Sequence, residues 1–88
     1  MNSDLTRIKS AIRQEIQQLA AKIGSDASAL TDDDLIPASG VLDSAALIEL
    51  ITWYEGYLHV AIPQGDLNID NFGSVQLMAD YGAAKLAS

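Results

Sequence analysis

Leu5, Ile8, Ile12, Ile16, Leu19 and Ile23 recur at spacings of three and four. That is the period of one helix face, so the chain is predicted to form an amphipathic helix with a single apolar stripe over about residues 4–23. Ser3 stands where an N-cap would, Asp4 suits the positive end of the helix dipole, and Gly24 is a stop signal. Such a stripe has to be buried, and 88 residues offer one domain in which to bury it. A chain of this size hides roughly 60–65% of its unfolded surface, enough for one modest core. Hydrophobic residues make up 49% of the chain, too many for a disordered tail.

Residues 24–43 form a long connection, and such loops in compact domains are functional or disordered. Leu30, Leu35, Ile36, Val41 and Leu42 favour order, because they give the loop apolar groups to bury. Thr31 to Leu35 is a candidate helical turn, and Pro37 favours extended or turn backbone before it. A second helix is predicted over about residues 44–58, with Leu47, Ile48, Leu50, Ile51, Tyr54 and Leu58 as a wide apolar face. Ala45, Glu49, Thr52 and Glu55 fall on its other side. Gly56 loosens its last turn, at about 1 kcal/mol relative to Ala. Val60 to Pro63 reads as extended, residues 66–72 as a short helix, and residues 74–81 as a last amphipathic helix. Val75, Leu77, Met78 and Tyr81 are that helix's candidate core, and the Ala-rich tail after Gly82 is expected to fray. Strand-like alternation is weak throughout. The expected fold is all-α: four helices around one core, a long ordered loop between the first and second, and a short third helix.

The net charge is −7, but its distribution says more. Ten of the twelve acids and no Lys or Arg lie between residues 23 and 84. A body without cations repels phosphate backbones, which argues against nucleic-acid binding. The same field would steer partners with basic patches, or simply keep the domain soluble. Cysteine is absent, which fits a reducing compartment. No apolar run reaches the roughly 18 residues needed to span a bilayer. Met1 to Leu5 lacks the basic and apolar regions of a signal peptide, so the cytoplasm is the expected location.

Several chemistries fail on residue count or spacing. One histidine, His59, and no cysteine argue against a zinc site. Asp66, Asn68 and Asp70 match the start of a calcium loop, but Asn71 stands where Gly is needed and Leu77 where Glu is needed. Asp32, Asp33 and Asp34 read as a solvated loop or helix start. His59 lies fifteen residues beyond Ser44. On one helix that is roughly 22 Å, out of reach for a nucleophile and its base. His59 reads instead as a helix C-terminal residue. No catalytic pair and no phosphate-cradling loop is found, so no enzyme activity is expected.

Ser44 is the residue with two readings. It lies in the run Gly40-Val41-Leu42-Asp43-Ser44-Ala45-Ala46-Leu47-Ile48-Glu49-Leu50. As a helix N-cap, Ser44 or Asp43 would contribute about 1 kcal/mol. A capping box would add Glu or Gln three residues on, but Leu47 and Ala46 stand there. As an exposed hydroxyl at a loop–helix junction, Ser44 could equally be a handle for an attached group. Both readings are open on the residues alone.

The run Gly40-Val41-Leu42-Asp43-Ser44, followed by an apolar helix with Glu49-Leu50, resembles the acyl and peptidyl carrier proteins. Their signature is a Gly-x-x-Asp-Ser-Leu run at the start of the second of four helices. The resemblance extends over nearly the whole chain, through Ile62-Pro63 and the run from Asp66 to Val75, and is closest in look to stand-alone D-alanyl and peptidyl carriers. It implies a four-helix carrier-protein bundle in which Ser44 carries a 4′-phosphopantetheine arm. It implies that Asp43 helps present Ser44 to a phosphopantetheinyl transferase, and that Ala45, Ala46, Glu49, Thr52 and Glu55 form the docking face. The implied partners are that transferase, an adenylating or acyl-loading enzyme, and a downstream enzyme that uses the cargo. A monomer with no resident metal is expected.

The chain departs from the family pattern in two places. Ala45 follows the serine where the family usually has Leu, which removes one docking side chain. The second helix keeps only Glu49 and Glu55 as acids and adds Trp53, Tyr54 and Tyr57. Trp53 reads either as core or as a partly exposed partner contact. These departures favour a specialised carrier, in secondary metabolism or amino-acid activation, over a primary fatty-acid carrier. The remaining alternative is an unmodified acidic helical interaction module.

Overall fold

The N-terminal apolar stripe is buried where its period puts it. In the computed structural model, which describes residues 3–87 with side chains from Asp4 onward, helix α1 runs Ser3–Lys22. Ile8, Ile12, Ile16 and Leu19 line its core face, joined by Ala20. The cap expected at Ser3 rests on a side chain outside the described set. Ile23 falls past the helix end and is largely exposed. Gly24 closes the helix in the left-handed region at φ 73°, and the Ser25 N–H donates to the Ala20 carbonyl at 2.8 Å.

Four further helices follow: α2 (Ile36–Ser39), α3 (Ser44–Leu58), α4 (Ile69–Phe72) and α5 (Val75–Ala87), with a 3-10 turn at Gln64–Asp66. No strand occurs among the described residues, and the radius of gyration is 12.2 Å. The all-helical expectation holds, with five α-helical segments in place of four. Ala46, Leu50, Tyr54 and Leu58, every fourth residue of α3, form its buried stripe. Val75, Met78, Ala79 and Gly82 form that of α5. Helix α1 packs on both, and α4 packs on α5. Tyr54 is fully buried, and its hydroxyl donates to the Met78 carbonyl at 2.7 Å, so the one polar atom it carries inward is satisfied. The Phe72 ring meets Tyr54 edge to face at 5.5 Å and Tyr81 at 4.8 Å.

Five local expectations are corrected. Ile48, placed on the apolar face of α3, is 68% exposed. Leu35 is also exposed and serves as the extended residue before α2. Pro37 sits in the first turn of α2, where a helix needs no N–H from it. Residues Thr31 to Asp34 make a turn closed by the Asp34 carboxylate on the Thr31 N–H at 2.8 Å, not a helical turn. The last helix does not stop near Tyr81: it starts under a cap from Ser74, whose hydroxyl accepts from the Leu77 N–H at 3.2 Å, and continues to Ala87. Gly82 permits this by letting α5 lie close against Tyr54 and Leu58. A Cβ there would fall 2.8 Å from Tyr54 Oη and 2.7 Å from Leu58 Cδ1.

The two helical glycines therefore predict opposite outcomes. Gly56 has open space around a would-be Cβ. Gly56→Ala should raise unfolding free energy by about 0.5–1 kcal/mol through helix propensity. Gly82→Ala should lower it, because overpacking typically costs about 1–3 kcal/mol and exceeds that gain. Urea denaturation of both variants checks this, and stabilisation by both would contradict the close α3–α5 packing.

Burial raises the pKa of the Tyr54 hydroxyl, with a smaller contribution from Tyr81. A phenol whose folded value lies above its unfolded value of about 10 stabilises fully below that pH and loses its contribution as pH rises beyond it. The melting temperature should thus fall above pH ~10, and less steeply in Tyr54→Phe. Parallel alkaline profiles for the two proteins would refute the assignment.

Candidate functional site

The loop before α3 is built residue by residue from the Gly40–Ser44 run. Gly40 ends α2 with φ 76°, a left-handed conformation that L side chains rarely adopt, and so turns the chain toward α3. Val41 is half-buried and Leu42 is buried in the core, which pins the turn from below. Asp43 is the N-cap: its backbone is extended, and its carboxylate accepts the Ala46 N–H at 2.8 Å. Ser44 is the first helical residue and is exposed. Its hydroxyl has no hydrogen-bond partner among the described residues. Capping therefore belongs to Asp43, and each residue of the run except Ser44 has a structural duty for its side chain or its conformation.

The expected docking residues divide on burial. Ala45, Glu49 and Thr52 are exposed with Ser44 on one side of α3. Ala46 is 3% exposed and belongs to the core, because it starts the stripe that continues through Leu50 and Tyr54; it cannot be a surface contact. Glu55 is half-buried and accepts the Ile62 N–H at 3.0 Å, so it holds the strap after α3 in place. Ile48 joins the exposed side. Sequence reading missed it because its apolar character outweighed its position, although Ser44, Ile48 and Thr52 at spacings of four mark one stripe.

Beside this stripe lies an apolar cleft of about 300 Å³. Leu47 and Ile51 of α3 form one wall, Pro37 borders it, and Leu67, Ile69 and Phe72 form the other. Leu67 and Ile69 are about half exposed, at 47% and 52%. The segment that carries them is tied down at Asp66, whose carboxylate accepts from the Tyr81 hydroxyl at 2.7 Å and whose carbonyl accepts from the Asn71 amide at 2.9 Å. Desolvation first, and donation to Asp66 second, raise the Tyr81 pKa. Asn68 caps α4 by accepting the Asn71 N–H at 3.1 Å.

Other singled-out residues have structural placements. His59 caps α3 in the left-handed region at φ 55°, donating its N–H to the Glu55 carbonyl. Of the acidic triplet, Asp33 is exposed, Asp34 closes a turn, and Asp32 is half-buried in an ion pair with Arg13 at 2.8 Å and Lys9 at 3.5 Å. Among the described residues no group of three or more His, Asp or Glu side chains is placed to hold a metal ion, and no helix is long and apolar enough to cross a membrane. No protein-family model matches the chain, and neither a curated protein nor a solved structure does.

The division of labour at the helix start gives a direct test. Asp43→Ala should cost about 1 kcal/mol of stability, while Ser44→Ala should stay within about 0.5 kcal/mol of the parent. Equal losses in thermal or urea denaturation would return the capping role to Ser44.

Proposed function

We propose that this chain is a carrier domain in which Ser44 holds a 4′-phosphopantetheine arm and, through it, an acyl, aminoacyl or peptidyl group for partner enzymes. One observation supports the reading above all: an exposed serine hydroxyl, free of any capping duty, sits on the first residue of a 15-residue helix behind an aspartate that does the capping. The site fits a phosphodiester. The hydroxyl is open to an incoming transferase, and the first N–H groups and positive dipole end of α3 favour a phosphate there. Ser44 Oγ would bond to the pantetheine-bearing phosphorus of the coenzyme A diphosphate, the P–O bond to the other diphosphate phosphorus would break to release 3′,5′-ADP, and a base of the transferase would take the hydroxyl proton. When bound, the arm supplies the terminal thiol that a cysteine-free chain lacks, and that thiol holds cargo as a thioester.

The protein's own contribution is presentation. Asp43 fixes the helix start, Gly40 and Leu42 hold the loop under it, and Ala45, Ile48, Glu49 and Thr52 make the surface a partner meets beside the arm. Tethering then raises the effective concentration of cargo at that partner. The small Ala45 and the sparse acids of α3 favour a specialised carrier, in amino-acid activation or nonribosomal-peptide-like synthesis, over a primary fatty-acid carrier. The cytoplasm is the proposed site of action, with a transferase, a loading adenylating enzyme and a cargo-using enzyme as partners.

Incubation with coenzyme A and a broad-specificity phosphopantetheinyl transferase, followed by intact-mass measurement, tests the proposal. The parent should gain one phosphopantetheine and Ser44→Ala should gain none. No gain with several transferases would leave the acidic interaction module as the better reading.

A further inference from the structure

The segment 65–71 presents its side chains in the reverse of the usual order for a surface turn. Its polar groups are turned to the chain itself. The Asn68 amide donates to the Gly65 carbonyl at 3.0 Å, and its oxygen accepts the Asn71 N–H at 3.1 Å. The Asn71 amide donates to the Asp66 carbonyl at 2.9 Å, and the Asp66 carboxylate accepts from the Tyr81 hydroxyl at 2.7 Å. Its apolar groups are turned outward: Leu67 and Ile69 are about half exposed. A hydrogen-bonded frame thus holds two large apolar side chains in the open. With Leu47 and Ile51 opposite, they wall the cleft of about 300 Å³ beside Ser44, and no charged side chain lines it. Helix α4 rests on α5, and the cleft stays open between it and α3. Leu47 follows Ser44 by three residues and Ile51 by seven, spacings that put all three along one face of α3. A partner that reaches the Ser44 hydroxyl therefore arrives over the mouth of the cleft.

We propose that this cleft is the anchor point for the transferase that acts on Ser44. One large apolar side chain of that enzyme, set among its lysines and arginines, enters between Leu47 and Ile51 on one side and Leu67 and Ile69 on the other. The inference rests on the carrier reading of Ser44 and adds where the enzyme holds the chain. A preformed apolar pocket that takes a single anchor side chain concentrates binding energy, and a rigid one loses little freedom when it is filled. The frame around Asn68 and Asn71 supplies that rigidity. Charge selects what surrounds the anchor. Ten acids and no Lys or Arg lie between residues 23 and 84, and Asp43, Glu49 and Asp70 are exposed next to Ser44, Ile48 and Ile69 in the chain. A basic rim around an apolar centre complements both features. A second copy of the chain does not, because its matching face would set the same acids against these.

Steady-state kinetics test this, with coenzyme A, a broad-specificity phosphopantetheinyl transferase and the full chain as the varied substrate. Leu67→Gln and Ile69→Gln should each raise KM for the chain at least about fivefold and leave kcat within about twofold of the parent. Ile69→Leu keeps the apolar contact and should keep the parent KM. Melting temperatures of the variants, read by circular dichroism, should stay close to the parent's. No modification of the parent overturns the carrier reading and this inference with it. A modified parent whose Leu67→Gln and Ile69→Gln variants keep its KM overturns the anchor alone. So does a rise in KM confined to variants that melt early. Sedimentation showing a parent dimer that Ile69→Gln returns to monomer would assign the cleft to a second copy instead. Unchanged KM, with shifts in the Leu67 and Ile69 methyl resonances on transfer of an octanoyl-loaded arm, would assign it to the cargo.

Discussion

Asp32 fastens the long connection to the rest of the molecule. Its carboxylate takes Arg13 and Lys9 of α1, and its backbone carbonyl takes the Gln76 N–H of α5 at 2.9 Å. Lys9 in turn donates to the Gln76 side chain at 2.9 Å. One loop residue thus joins two helices that are far apart in sequence. The ion pairs are about a third exposed, and pairs of that kind contribute about 0–1 kcal/mol each. Burial of Leu30, Ile36 and Leu42 contributes more, at about 1.5–3 kcal/mol per side chain. Apolar burial therefore drives the loop onto the core, and Asp32 decides its register. Once the register is set, the Ile36 N–H reaches the Gly73 carbonyl at 2.7 Å, and α2, Gly40 and Asp43 follow in fixed order to Ser44.

This dependence explains why parts of the fold were legible in the sequence and parts were not. The α1 stripe was readable because Ile8, Ile12, Ile16 and Leu19 carry their period in the chain itself. The exposure of Ile23 was not, since it depends on where Gly24 ends the helix. Helix α2 has four residues and no period to detect, and it exists because Pro37 suits a first turn and Ile36 has a backbone partner on Gly73. The length of α5 was hidden for a related reason. Gly82 looks like a stop in isolation and acts as a contact surface once Tyr54 and Leu58 lie against it. Of the candidate site, the position of Ser44 at a loop–helix junction was legible. The burial of Ala46 was not, because Ala fits either side of a helix and only packing against the core decides.

The cations of α1 also explain the charge pattern. Lys9 and Arg13 turn inward to Asp32, and Arg7 is held by Asp4 and Tyr57. The basic N-terminal segment is therefore partly spent on internal neutralisation. Among the described residues the acids of α3 form no ion pair, and Glu49 stands exposed on the same side as Ser44 and Ile48. An exposed apolar side chain beside an acid suits a partner surface that is basic around an apolar centre. Burial of that centre supplies affinity, while the charges act mainly on orientation and on-rate.

Helix α3 carries these exposed residues into its seam with α1 without a break. Ser44, Ala45, Ile48, Glu49 and Thr52 line the side on which a tethered group would be handed over. Trp53 and Tyr57 line the seam with α1, and Trp53 follows Glu49 by one turn, so the two surfaces adjoin along Ile48, Glu49 and Thr52. In the proposed carrier role the chain has to let go of one enzyme to reach the next, and that role favours weak, short-lived contacts on the hand-over side. Glu49 and Thr52 border both surfaces, so a partner that reaches the Ser44 side of α3 also meets the edge of the Trp53 seam.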